Sequence, residues 1–307
     1  MDVDFFVQQL VNGLTLGSVY GLLALGYSMV YGILKLLNFA HGEVYMMGAF
    51  AGYFVLVGLG GPDDPVLPIA VVFLLMFLAG MIGSGVLGVT IERFAYRPLR
   101  NAPRIAPLIS AIGVSFFLQA TALLLFTADF RSYETPKLVS PQTGIHAGPL
   151  NISLIRILVI VGSISLMIAL TLLVSRTKLG KAMRAVSHDR EAAAMMGINV
   201  DRVIVMTFLI GAVLAGAAGV MVGLVFQRVF HFMGFLAGLK AFTAAVVGGI
   251  GSIPGAVAGG LLIGMAEAFA SVYISVTFKD AIAFLVLVVV LLIRPGGIFG
   301  RQLTQKV

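Results

Sequence analysis

The feature that most constrains this chain is its long apolar runs uninterrupted by charge, among them 158–174 and 282–293. Only 11% of its 307 residues are charged and 60% are hydrophobic, where a soluble domain carries about 25% charged residues. Charge is costly in hydrocarbon. An ordinary soluble enzyme, a disordered chain and an acidic-tail protein are excluded on this ground. Backbone N–H and C=O groups find no water in a bilayer, so a spanning chain must form helices or a closed barrel. Barrel strands would alternate apolar and polar positions over about 10 residues. The runs here do not alternate, so the expected fold class is all-α, a polytopic transmembrane helix bundle of about eight to nine spans.

Apolar segments fall at 7–34, 40–60, 66–90, 106–127, 152–175, 203–226, 233–252, 254–275 and 281–294. Loop 91–105 holds Arg93, Arg97, Arg100 and Arg104 against Glu92. Loop 176–202 holds Arg176, Lys178, Lys181, Arg184, Arg190 and Arg202 against Asp189, Glu191 and Asp201. The tail carries Arg294, Arg301 and Lys306 without an acid. Cytoplasmic loops are enriched in Lys and Arg, which places these three inside. Loop 61–65, with Asp63 and Asp64, and loop 128–151, with Arg131 and Lys137 balanced by Asp129 and Glu134, are then outside. The threading gives nine crossings, N-terminus out and C-terminus cytoplasmic. The net charge of +7 reads as this loop bias, and no nucleic-acid partner is expected. Met1-Asp2-Val3-Asp4 has no basic region of the kind that opens a cleaved signal peptide. With no Cys in the chain, disulfide, iron–sulfur and thiol chemistry are excluded.

Two segments admit a second reading. Segment 233–252 contains Lys240 and Gly248-Gly249, and glycines continue at Gly251, Gly255, Gly259 and Gly260. It is a crossing or a broken, re-entrant helix; a crossing keeps the basic tail inside. Phe5–Leu10 either begins the first span or lies along the interface.

Small residues recur four apart at Gly13, Gly17 and Gly21, at Gly211, Ala215, Gly219 and Gly223, and at Gly255 and Gly259. Such stripes let membrane helices approach closely; they indicate dense packing, not a chemistry. Gly83-Ser84-Gly85-Val86-Leu87-Gly88 matches G-x-G-x-x-G but lies inside a span with no preceding strand, so it too reads as packing. No Walker A loop is present, since Gly180-Lys181 is followed by Ala182. The four histidines are scattered without metal-ligand spacing, so no metal site is expected.

Three constellations carry possible function. The first is Asn38-Phe39-Ala40-His41-Gly42-Glu43. The apolar run behind it, 44–59, is ~24 Å long as a helix, short of the ~30 Å hydrocarbon core. The helix must recruit part of the polar box, bringing Asn38, His41 and Glu43 to membrane depth. The box is either a break lining a transport route or a wet turn at the boundary. The second is Glu267, mid-span with Gly264 one turn earlier. It is either functional, as intramembrane charges often are, or hydrogen-bonded to a neighbouring helix and structural. The third lies between the fifth and sixth segments: Asp189 as N-cap, Gly197 as the residue just past the C-cap, and an Ala-rich helix of about two turns between them. It either docks into a groove on a cytoplasmic partner or lies on lipid with its basic residues near anionic headgroups.

The stretch Leu37-Asn38-Phe39-Ala40-His41-Gly42-Glu43-Val44-Tyr45-Met46-Met47-Gly48 resembles the signature of the smaller, H-type permease subunits of bacterial branched-chain amino-acid ABC importers. Ile91-Glu92-Arg93-Phe94-Ala95-Tyr96-Arg97-Pro98, Ile109-Ser110-Ala111-Ile112-Gly113 and the run from Lys240 through Gly248, Gly249, Gly251 and Pro254 to Ala256 agree with it in order. The histidine box alone is shared with urea and short-chain-amide permeases. Glu191-Ala192-Ala193, with Gly197 six residues after the Glu, resembles the EAA coupling motif of importer permeases, although the usual downstream Pro is missing.

The resemblance implies residues 1–307 as one ABC-importer permease domain, with a coupling loop at about 176–202 and no enzymatic activity of its own. Its implied partners are a second related permease, two cytoplasmic ATPase subunits carrying ATP and Mg²⁺, and a periplasmic amino-acid-binding protein, all at the bacterial inner membrane in contact with lipid. No cofactor is expected in this chain. Arg184, Asp189, Glu191, Ala192, Ala193 and Gly197 are then coupling residues. Asn38, His41, Glu43, Gly248, Gly249, Gly251, Pro254 and Glu267 belong to the translocation route or its moving parts, with the glycine-rich run unwinding to offer backbone dipoles to a zwitterion. Two rivals remain: a urea or amide permease, and a secondary transporter, which has only Glu43 and Glu267 for an ion site. A membrane enzyme would need clustered catalytic groups such as H-E-x-x-H, which the spans lack.

Overall fold

The computed structural model describes residues 3–61, 66–103, 105–133, 139, 143–147 and 150–300. Asp63, Asp64, Arg104, Glu134, Lys137, Arg301 and Lys306, which entered the loop-charge reading, lie outside them.

Each of the nine apolar segments is a helix. In chain order these are α1 (Val3–Leu34), α2 (His41–Gly58), α3 (Ile69–Ile91), α4 (Ile105–Phe126) and α5 (Leu154–Arg176). Two short helices follow, α6 (Lys178–His188) and α7 (Arg190–Met195), and then α8 (Val200–Phe226), α9 (Met233–Gly248), α10 (Ile253–Tyr273) and α11 (Lys279–Ile293). Among the described residues, α1, α3, α4, α5, α8 and α10 are long and apolar enough to cross a membrane. The other three fall short of the ~30 Å core: α2 has 18 residues, α9 16 and α11 15, or about 27, 24 and 22 Å at the helical rise. Phe5–Leu10 continues α1 and does not form a separate interfacial segment.

The nine run in alternating directions, and contacts define two ends. At one end Arg97 and Arg100 pair with Asp201 at the start of α8. There too Arg190 donates to the Ile33 carbonyl at the end of α1, at 2.9 Å. Ile298 and Phe299 donate to the carbonyls of Val247 and Gly248 at this end, both at 2.9 Å. The described cations of all three basic loops therefore share one end. The opposite end holds Phe5 against Tyr273 and two small antiparallel pairs: β1 (Arg131–Ser132) with β4 (Arg228–Val229), and β2 (Gly144–Ala147) with β3 (Leu150–Ser153). The sequence treats 128–151 only as a loop. There Tyr133 is fully buried, seated against Gly52 and Gly223, with its hydroxyl on the Ala49 carbonyl.

The glycine stripes are packing surfaces. Gly13, Gly17 and Gly21 receive Met265, Leu261 and Met167; Gly48 and Gly80 meet Gly216; Gly219 lies on the Tyr45 carbonyl. Gly85 and Gly88 face Leu209, Val213 and Ala212, which confirms the G-x-G-x-x-G match as a helix contact. α1 and α8 are the central helices, and Gly211, Ala215, Gly216, Ala218 and Gly219 are buried along α8.

Candidate functional site

The polar box sits within the bundle. α1 ends at Leu34, Lys35 takes the left-handed region at φ 55°, and the chain turns back so that α2 starts at His41. The His41 ring packs against Gly26, eight residues before Leu34, so α2 begins ~12 Å inward from the end of α1. His41, Gly42 and Glu43 are buried in the first turn of α2. The Asn38 carbonyl accepts from the His41 N–H at 3.1 Å, and the Asn38 side chain accepts from the Tyr96 hydroxyl at 3.1 Å. His41 stands edge-on to Tyr27, with centroids 4.9 Å apart. Its Nε2 has no partner among the described residues. The Glu43 Oε1 atom accepts from Gln119 at 2.8 Å and Ser115 at 3.1 Å, both on α4. α9 begins beside this turn, with Gly234 against Gly42 and Glu43 and Gly238 against Gly42. The box is an interior junction of α1, α2, α4 and α9, not a wet boundary turn.

Glu267 belongs to a separate cluster. Its Oε1 accepts from Lys240 of α9 at 2.7 Å and its Oε2 from the Tyr20 hydroxyl of α1 at 2.9 Å. Lys240 also pairs with Asp280 of α11. Lys240 is 5% exposed and Glu267 4%, so the pair is held in the interior with both charges matched. The neighbouring-helix reading of Glu267 fits this geometry.

Gly248, Gly249, Gly251 and Pro254 do not join either cluster. They form the corner between α9 and α10 at the basic end. Gly249 and Gly251 take φ of 105° and 89°, a region that side-chain-bearing residues avoid. Gly248 packs on Gly255, and Gly251 lies by Gly32. Ser252 caps α10 by accepting from Gly255 N–H at 3.2 Å, and Pro254 sits in the first helical turn, where its fixed φ is tolerated. The Val247 and Gly248 carbonyls are already bonded to 298–299. This is a tight helix corner packed on Gly32, six residues (~9 Å) along α1 from the Gly26 that His41 packs on; the expectation of an unwound, substrate-facing run did not anticipate it.

The coupling stretch has the local form expected. Asp189 accepts from the N–H groups of Glu191 and Ala192, at 2.9 and 3.0 Å. Ile198 N–H bonds the Ala193 carbonyl and Gly197 N–H the Ala194 carbonyl, with Gly197 at φ 79°; this is the double bond pattern of a Schellman C-terminus. Ala193 faces inward, while Met195 and Met196 are each 82% exposed. Glu191 is also exposed. Arg184 is exposed and caps α5 through the Val174 carbonyl. Arg190 borders a polar cavity of about 340 Å³ with Lys35, Arg100 and His188; burial, and then the Arg100 charge, lowers the Arg190 pKa.

Several functional neighbours escaped the sequence reading. Ser115 and Gln119, four residues apart on an apolar span, marked one polar stripe facing the bundle. Lys240 was visible as a charge at span depth and Asp280 as one at the edge of the last segment, and charge balance alone would pair Lys240 with Glu267. Tyr20 and Tyr27, in a membrane helix, and Tyr96 and Tyr133, in the loops between spans, gave no signal, because a Tyr reads as bulk until its hydroxyl partner is known. Among the described residues no group of three His, Cys, Asp or Glu side chains is placed to hold a metal.

A family model described as branched-chain amino acid transport system, permease component, matches residues 9–291. The high-affinity branched-chain amino acid transport system permease protein BraD of Pseudomonas aeruginosa is 45% identical, over 100% of this chain and 99% of its own. The corresponding protein LivH of Salmonella typhimurium is 44% identical, over 99% and 98% of the two chains. A solved structure, PsaBC from Streptococcus pneumoniae in complex with Fab, aligns over 92% of this chain and 89% of its own, with 14% identity and a TM-score of 0.45. A polytopic bundle with a buried polar box, an exposed capped helix at its basic end and kinship along its whole length thus belongs to the family of branched-chain amino-acid transport permease components.

Proposed function

We propose that this chain is one of the two membrane-spanning halves of an ABC importer that carries branched-chain amino acids across the bacterial inner membrane. In this reading α7 and the basic end face the cytoplasm, and the end bearing β1–β4 faces the periplasm. A second, related permease completes the channel, and a periplasmic binding protein delivers the amino acid. Two ATPase subunits, holding ATP and Mg²⁺, grip the loop 176–202. This chain itself performs no chemistry.

The observation that carries the reading is the full-length kinship with permeases named for branched-chain amino-acid transport. The geometry of α7 supports it: Asp189 and Gly197 fix both helix ends, so Glu191, Met195 and Met196 are presented outward on a rigid turn. Closure of the ATPase dimer would pull on α7, and Arg190 would pass that motion to the end of α1 through the Ile33 carbonyl. A motor can bias the two access states only through differential interaction with them.

The test is uptake of radiolabelled leucine into proteoliposomes. ATP-dependent accumulation is expected only when both permeases, both ATPases and the binding protein are present. Accumulation by this chain alone on an ion gradient would place it among secondary transporters. Uptake of urea but not leucine by the full assembly would assign it to the amide branch.

A further inference from the structure

We propose that a cavity between α4 and α9 receives the aliphatic side chain of the transported amino acid while the Glu43 carboxylate faces its α-ammonium group. This assignment of a substrate subsite rests on the importer reading above. The cavity has a volume of about 240 Å³, and its lining includes Tyr27, Phe39, Ile112, Ser115, Phe116 and Phe235. The walls are nearly all aromatic or aliphatic. Ile112, Phe116 and Phe235 are exposed and form the mouth. A polar solute reaches such a mouth only if a second permease covers this face and keeps lipid away.

Ser115 ties the cavity to the carboxylate. It lines the cavity, and its hydroxyl donates to Glu43 Oε1 at 3.1 Å. Glu43 therefore stands one small side chain behind the wall. Its Oε2 is buried and has no hydrogen-bond partner among the described residues, and the residue is 1% exposed.

The two interior glutamates differ in this respect. Both oxygens of Glu267 are engaged, one by Lys240 and one by Tyr20, and no salt bridge to Glu43 is formed among the described residues. The first turn of α2 and the start of α9 beside it supply partial positive charge that favours a carboxylate there. That field is no full counter-charge, and a buried ion without one is costly. An incoming ammonium group brings the missing charge. A turn of the Ser115 side chain uncovers Oε1 to the cavity, and the apolar walls take the branched side chain. Urea and short amides would gain little from those walls, since burial of apolar surface supplies the attraction.

The complete complex, with its partner permease, ATPases and binding protein, is reconstituted in proteoliposomes. Glu43→Gln keeps the shape and can keep the bond from Gln119 while losing the charge; Ile112→Trp fills the mouth. Leucine uptake is expected to fall at least tenfold in each assembled variant, with Glu43→Asp recovering part of it. In the wild-type complex during ATP turnover, a diazirine analogue of leucine should label peptides from 105–126 and 233–248, and excess leucine should suppress the labelling. Wild-type rates in both Glu43→Gln and Ile112→Trp, or labelling confined to other helices, would overturn the subsite while leaving the importer reading intact. A wild-type complex that takes up no leucine would remove the importer reading, and the subsite with it.

Discussion

Breaking a buried pair such as Lys240–Glu267 costs up to about 3–5 kcal/mol, and without Glu267 the buried Lys240 keeps only the partly exposed Asp280. Glu267→Ala should therefore lower the thermal unfolding midpoint of the detergent-solubilised protein sharply. The double variant Lys240→Met, Glu267→Leu should recover much of the loss, because no buried charge is then stranded; Asp280, which also loses Lys240, is partly exposed. Additive losses in that cycle would show that the two residues act independently. At this scale the sequence is most informative about unusual residues and least about their partners. Glu43, His41 and Glu267 stood out because charge and imidazole are rare at membrane depth. Their functional contrast was illegible, because it depends on Lys240, Tyr20, Ser115 and Gln119 arriving from helices up to 247 positions away.

Each helix has its own point of weakness. α7 depends on its two ends. Asp189→Ala removes a cap worth about 1 kcal/mol, and Gly197→Leu forces a side chain into φ 79°. Gly197→Leu, and Glu191→Lys on the exposed face, should each lower transport-stimulated ATPase activity and weaken co-purification of the ATPase subunit. Unchanged stimulation in both would reject α7 as the coupling element. The crossing of α2 and α8 depends on Gly219, whose missing side chain lets it lie on the Tyr45 carbonyl. Gly219→Val should abolish recovery of folded protein in fluorescence-detected size exclusion, whereas Gly58→Val, which faces open space, should leave the profile unchanged. Helix identities, the glycine contacts and both ends of α7 were legible because periodicity, small-residue spacing and capping are local signals. The early end of α9 and the corner at Gly249–Ser252 were not, because the same glycines fit a crossing, a break or a turn until Gly32 and 297–300 are seen to enclose them.

The whole molecule is a bundle in which nine segments alternate and three stop short, α2 at the basic end and α9 and α11 at the other. The described residues of the basic loops predicted to share a side do share an end, since loop charge and helix alternation are independent readings of one topology. The central claim is that this bundle holds no engine and is driven through α7. The absence of native cysteine makes Met195→Cys a clean probe of it. In inside-out membrane vesicles containing the assembled importer, this cysteine should react with an impermeant maleimide and, with a bifunctional reagent, cross-link to the ATPase subunit in a nucleotide-dependent way. Labelling of that cysteine only from the periplasmic side, or a fully assembled and transporting complex in which no cross-link forms, would contradict the account.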